Sequence, residues 1–246
     1  MKKVRWQVLL GLILVALSAL LYGIHYTLFH DAHHIWIYLV GDIAFVPIEV
    51  LLVTIIIHEV LNVREKRSML KKLNMVIGSF FAEAGNPLLK AMHELAETPE
   101  AWKQDVLFGV DCPETVFSEL ERRCSELSPE ITATRAELEA LREFALEKRE
   151  FTLGLLKNPN LLEHDRFTDL LWAVSHLLEE LAARENLHDI SDKDLQHLRF
   201  DIQRAYIQLA REWIAYMHHL KTDYPYLFSF AVRTNPFDRQ ARAELS

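Results

Sequence analysis

The first quarter of the chain lacks the alternation of apolar and polar positions that marks a surface element. Residues 6–28 carry no charge at all, and residues 35–57 carry no Lys or Arg. As helices rising 1.5 Å per residue, each run is ~34 Å long, enough to cross a hydrocarbon core of about 30 Å. Past residue 58 a helical rhythm sets in. Leu70, Leu73, Val76 or Ile77, Phe80 and Ala84 recur at three and four until Gly85-Asn86-Pro87, which predicts a helix stop. A continuous helix over 35–84 is ~75 Å long; a bend near Asn62 is the alternative.

Start signals then follow one another. Thr98-Pro99-Glu100 and Ser128-Pro129-Glu130 each set a capping residue before a proline at the first helical position, and Asp111-Cys112-Pro113-Glu114 is a looser version. They predict helices over 87–97, 99–109, 113–127, 129–157, 161–187 and 191–221. Phe167, Leu170, Leu171, Val174, Leu177, Leu178 and Leu181 form the most regular stripe, which requires a partner face. No strand pattern appears. The predicted fold is all-α: a transmembrane hairpin (1–57), a juxtamembrane helix (58–86), a cytoplasmic helical bundle (87–238) and a frayed tail (239–246). The aromatic run from Tyr224 to Phe230, with Asn235-Pro236-Phe237, reads as core packing, with membrane or subunit docking as the alternative.

Charge orients the hairpin. Lys2, Lys3 and Arg5 precede the first apolar run, and Arg64, Lys66, Arg67, Lys71 and Lys72 follow the second. The loop between them has no basic residue. The positive-inside rule places both termini in the cytoplasm, in a multi-pass protein of the cell (inner) membrane. A secretory signal cleaved near Ala16-Leu17-Ser18 is the competing reading, but the apolar run continues past that point. The basic residues at 64–72 either fix topology or touch anionic lipid. Ala16, Ala19 and Gly23 form a small-residue seam that admits another helix.

Residues 58–246 hold 24 of the 27 basic and 32 of the 35 acidic side chains, so the whole net charge of −8 lies there. So acidic a domain is a poor ligand for nucleic acid. Cys112 and Cys124 form no metal or redox motif, and Cys124 falls on an apolar helical stripe, so reduced thiols are expected.

Three groups of residues carry candidate chemistry. Asp42 and Glu49, seven apart inside the second apolar run, share a face with Tyr38. As charges facing lipid they are costly, so protein, water or an ion must meet them. The loop contributes His25, His30, Asp31, His33 and His34, as a metal or proton sensor or, for Asp31, as a helix cap. In the bundle, Glu185 with His188 and Asp194 with His197 have metal-ligand spacing, but Ser191-x-x-Asp194 marks a helix start, so these residues straddle a turn. Asp169, Trp172, His176 and Glu180 read as a solvated or partner-binding stripe. No Gly-rich phosphate loop, His-Glu-x-x-His motif or nucleophile elbow occurs.

The segments HHIWIYLVGDIAFVPIEVLLVTIIIHEVL, REKRSMLKKLNMVIGSFFAEAGNPLL and HLKTDYPYLFSFAVRTNPFD resemble an uncharacterised family of prokaryotic two-span membrane proteins. That resemblance implies the topology and no activity. The expectation is a non-enzymatic membrane anchor or scaffold without cofactor. It touches lipid, self-associates and presents its bundle to a cytoplasmic protein. An oligomeric ion or proton pathway lined by Asp42 and Glu49 is the first alternative, and a sensor using the loop histidines the second.

Overall fold

A computed structural model describes residues 2–158, 161 and 164–244, without the side chains of residues 2–5, 7 and 66–72. The chain is helical almost throughout: two apolar helices at the N-terminus, then a helical bundle. It divides into two compact units, Met1–Arg67 and Ser68–Ser246.

In the first unit, α1 (Lys2–Phe29) and α2 (Ala32–Phe80) are joined by a turn at His30-Asp31. His30 takes φ of 50°, a left-handed conformation that ends α1 while its N–H still donates to the Tyr26 carbonyl at 2.9 Å. Asp31 Oδ1 accepts the His34 N–H at 3.1 Å and so caps α2. Pro47 lies inside α2 without ending it. The two helices do not bury one another. Up to Glu65, every described side chain other than those of His25, Ile35 and Leu39 is exposed.

The second unit owns the core. Every buried apolar side chain among the described residues lies at or beyond Leu73. The last turns of α2 supply Leu73, Ile77 and Phe80. The Gly85-Asn86-Pro87 stop is corrected here: the backbone widens into a π turn over Phe81–Gly85 and passes straight into α3 (Asn86–Leu95). Pro87 is tolerated because it occupies the first turn of α3, where its missing N–H has no helical partner. Gly85 is required by packing. A Cβ there would lie 2.7 Å from Phe81 Cδ1 and 2.8 Å from Phe80 Cε1, both rings fully buried.

The bundle continues with α4 (Glu100–Asp105), α5 (Thr115–Glu126), α6 (Arg135–Leu156), α7 (Asp165–Ala182), α8 (Asp192–Asp223) and α9 (Pro225–Arg233). The helix predicted from 129 starts six residues late. Glu130–Ile131 (β2) instead pairs antiparallel with Ala96–Glu97 (β1), a two-residue bridge absent from the sequence reading. Long side chains of α8 hold the segment extended: Gln203 donates to the Pro129 carbonyl at 2.7 Å, and Arg199 to that of Ala133 at 2.9 Å. The true start of α6 is a capping box between Thr134 and Glu137. Helix α9 forms where only an aromatic run was read.

Helix α8 is the hub. It packs against α3, α5, α7, α9 and β2, while α6 packs on the far side of α7. Its buried face runs through Leu198, Ile202, Ala205, Tyr206, Leu209, Trp213 and Met217. The C-terminal aromatics divide: Phe228 and Phe237 are core, whereas Tyr226, Leu227 and Phe230 are exposed. Cys124 is a buried free thiol between α5 and α8, and burial pushes its pKa up to about 12.

Candidate functional site

In the hairpin, Asp42 and Glu49 project from α2 at exposed positions, and no described residue bonds to either. The apolar surface around them is equally uncovered. Two stretches, Val8–Phe29 and Ala32–Glu65, each contain an 18-residue run with a mean hydropathy of 2.3, and none of their side chains is buried. The small-residue seam is open too, since nothing lies within 4 Å of a Cβ built on Gly23. Arg64 is exposed; the side chains of Lys66, Arg67, Lys71 and Lys72 lie outside the described set.

The loop histidines spread along both helix ends. His25 and His34 face each other with ring centroids 6.4 Å apart, His34 sits edge-on to Tyr38 at 4.8 Å, and His30 leans toward Tyr26. Asp31 is committed to its cap. Among the described residues, no three of this loop's donor atoms converge tightly enough for one ion.

Convergence occurs in the bundle, on the adjoining faces of α7 and α8. Glu180, His197 and Asp201 bring one donor atom each to within 4.8 Å of one another. His197 Nε2 lies 3.3 Å from Asp201 Oδ2 and 3.7 Å from Glu180 Oε2, and His176 Nε2 reaches the same Asp201 oxygen at 3.6 Å. Both helices contribute a histidine and a carboxylate one turn apart: His176 with Glu180, His197 with Asp201. That spacing stacks side chains on one face.

Two arginines frame this cluster. Arg184 binds Asp194 through both guanidinium ends, at 2.7 and 3.0 Å, and reaches Glu180 Oε2 at 2.8 Å. The guanidinium holds the Glu180 carboxyl below its ordinary range despite partial burial. Arg204 takes Asp201 Oδ1 at 2.6 Å. Asp201 is only 2 % exposed, and its other oxygen, Oδ2, has no hydrogen bond.

The sequence reading set the Asp194–His197 spacing aside because those residues straddle a turn, and read His176 and Glu180 as part of a solvated or partner-binding stripe. The turn is where it was expected, and the convergence of the two helices on one cluster is what that reading missed. Asp194 serves Arg184, Glu185 and His188 sit in the turn between the helices, and His197 turns to Asp201 and Glu180. The legible signal was the pair of i, i+4 repeats, His-x-x-x-Glu on one helix and His-x-x-x-Asp on the next.

A second polar group is buried deeper. Tyr206 OH accepts the Trp102 Nε1–H at 3.3 Å and is hydrogen-bonded to His93 Nδ1 at 3.0 Å. Burial, then the charges of Arg239 and Lys103, lower the His93 pKa to about 4, so its ring is neutral at pH 7 and pairs with the hydroxyl in either tautomer. Phe237 packs edge-on against His93, Trp102 and Trp213, which makes this a core lock.

Comparison with known proteins agrees with the division into units. A family model described as "MJ1433, N-terminal helical domain" matches residues 2–61, and one described as "Uncharacterized protein MJ1433, C-terminal helical domain" matches residues 69–233. The boundary between them falls where the compact units part. The chain is 40 % identical over 238 residues to "Uncharacterized protein MJ1433" of Methanocaldococcus jannaschii, covering 96 % of this chain and 95 % of that protein. No solved structure matches. Matched along nearly its whole length, with both helical domains in order, the chain belongs to the MJ1433 family.

Proposed function

We propose that this protein is a two-span integral membrane protein that anchors a helical bundle at the cytoplasmic face. In this reading it is a self-associating, non-enzymatic scaffold. The observation that carries the proposal is the uncovered apolar surface of α1 and α2. A helix in a soluble core hides its apolar side chains, whereas none of those on Val8–Phe29 or Ala32–Glu65 is buried. Bare surface of that extent is stable only against lipid or other apolar helices. The basic residues flanking the pair and their absence from the loop support cytoplasmic termini.

Self-association follows from Asp42 and Glu49. Among the described residues of their own chain neither has a partner, so a second copy is the source of polar company this reading assigns them at bilayer depth. The same observation supports the second reading, an ion or proton pathway between copies.

Two measurements test the anchor. The protein should stay with membranes through alkaline carbonate extraction. An Ala32→Cys variant should react with an impermeant maleimide added to intact cells, while Cys112 reacts only after permeabilisation. Release into the aqueous fraction, or the reverse labelling pattern, refutes the topology. Cation flux in liposomes that disappears with Asp42→Asn and Glu49→Gln would favour the pathway over the scaffold.

A further inference from the structure

We infer that the face shared by α7 and α8 is a binding site for a divalent transition-metal ion of the Zn²⁺ class. Glu180, His197 and Asp201 are its ligands, and His176 is the fourth donor within reach. The inference stands on the bundle alone and is independent of the membrane reading.

Three observations meet there. The first is donor spacing. An ion bound at about 2.0–2.2 Å to nitrogen and oxygen in tetrahedral geometry needs ligand atoms ~3.3–3.5 Å apart. The nitrogen–oxygen separations of 3.3, 3.6 and 3.7 Å lie at or just beyond that, a closure that small side-chain rotations supply. The second is the buried oxygen. Asp201 is almost wholly buried, yet Oδ2 has no hydrogen bond and points between two imidazoles. An unpaired buried acceptor is costly, and a metal ion seated between Oδ2 and the imidazole nitrogens removes that cost.

The third observation is the support behind the ligands. Arg204 holds Asp201 Oδ1, which fixes the carboxylate with Oδ2 inward. Arg184, itself anchored on Asp194, steadies Glu180. A charged partner on the non-ligating oxygen, as Arg204 is for Asp201, is what a metal site uses to hold its geometry; at Glu180 the Arg184 bond falls on Oε2 itself, which leaves Oε1 or the second lone pair of Oε2 for the ion. Three carboxylates against two guanidiniums also leave the pocket net negative while the histidines are neutral. Imidazole with carboxylate suits Zn²⁺ and its first-row neighbours, whereas Ca²⁺ and Mg²⁺ prefer oxygen alone. Both histidines are about half exposed, so the ion has an entry path. Bound there, it would pin the start of α8 to the end of α7.

The test uses the full chain in detergent, stripped with chelator and titrated with ZnCl₂. Bound zinc is read by equilibrium dialysis and the bundle by its thermal midpoint at pH 7.5. A variant with His25, His30, His33 and His34 all changed to Ala removes the loop as a competing site. In that background, zinc should bind in a 1:1 ratio and raise the midpoint. His197→Gln and Asp201→Asn should each weaken binding at least ~tenfold and abolish the rise. Should Asp201→Asn fail to fold, His197→Gln, a half-exposed position, decides alone. Zinc binding that is absent, that vanishes with the loop histidines, or that survives His197→Gln at full affinity overturns the inference. So does a cluster that shifts the midpoint with pH but not with zinc.

Discussion

At the residue scale, two positions show how little slack the core has. Gly85 closes the π turn with Phe80 and Phe81 folded over it, and both rings are pinned by aromatic neighbours, Phe167 and Tyr216. Gly85→Ala should therefore lower stability by about 1–3 kcal/mol, although alanine ordinarily favours a helix. Chemical denaturation of the bundle measures it. Tyr206 is the second position. Tyr206→Phe removes the hydrogen-bond partner of both His93 and Trp102, leaving two polar groups unpaired at a cost of about 1–3 kcal/mol. Between the same partners lies a pH dependence. The His93 pKa falls from 6.5 unfolded to about 4 folded, so the unfolded chain takes up the proton first as pH drops. Stability from neutral His93 is complete above pH 6.5, declines as pH falls toward about 4, and levels below it. A His93→Gln variant should flatten that limb in denaturation midpoints measured across the range.

At the element scale, boundaries depend on which signal tertiary contacts ratify. Ser128-Pro129-Glu130 reads as a helix start, and the capping box Thr134-x-x-Glu137, which that reading passed over, carries the same signal. Only the second became one, because Gln203, Arg199 and the pairing of Ala96 with Ile131 claim the backbone between them. Those partners lie more than thirty residues away, beyond any local reading. Thr134→Ala should thus cost about 1 kcal/mol, seen as a lower denaturation midpoint, while Ser128→Ala should cost a few tenths at most. Stripes were more legible than boundaries. The apolar series of α7 named its buried face almost residue for residue, since a period of 3.6 survives whatever packs on it. The polar cluster on α7 and α8 was half visible. His176 and Glu180 shared a named stripe, but which turns of α7 and α8 lie level is set by the length of the loop between them. Without that register, His197 could not be placed beside Glu180.

At the scale of the whole chain, the two units divide the apolar surface, exposed in the first and buried in the second. All buried apolar side chains among the described residues lie beyond the boundary at Ser68, and the chain's net charge of −8 lies beyond residue 57. A chain of residues 68–246 should therefore be water-soluble and unfold cooperatively with the helical content of the bundle. Aggregation of that fragment would mean that part of its surface is meant to be covered. The hairpin should behave in the opposite way. A carboxylate held charged near the bilayer centre costs about 2.5–3.5 kcal/mol on insertion scales, and α2 carries two with no partner among the described residues of their own chain. Neutral leucines at both positions remove that cost but also remove whatever makes a second copy worth binding. If the carboxylate face is the contact between copies, the full chain should run larger than a monomer by light scattering in mild detergent. Asp42→Leu with Glu49→Leu should then reduce it to a monomer, without loss of bundle stability. If both forms are monomeric, the carboxylates are shielded by protonation or lipid headgroups, and self-association drops out of the proposed function while the anchor remains.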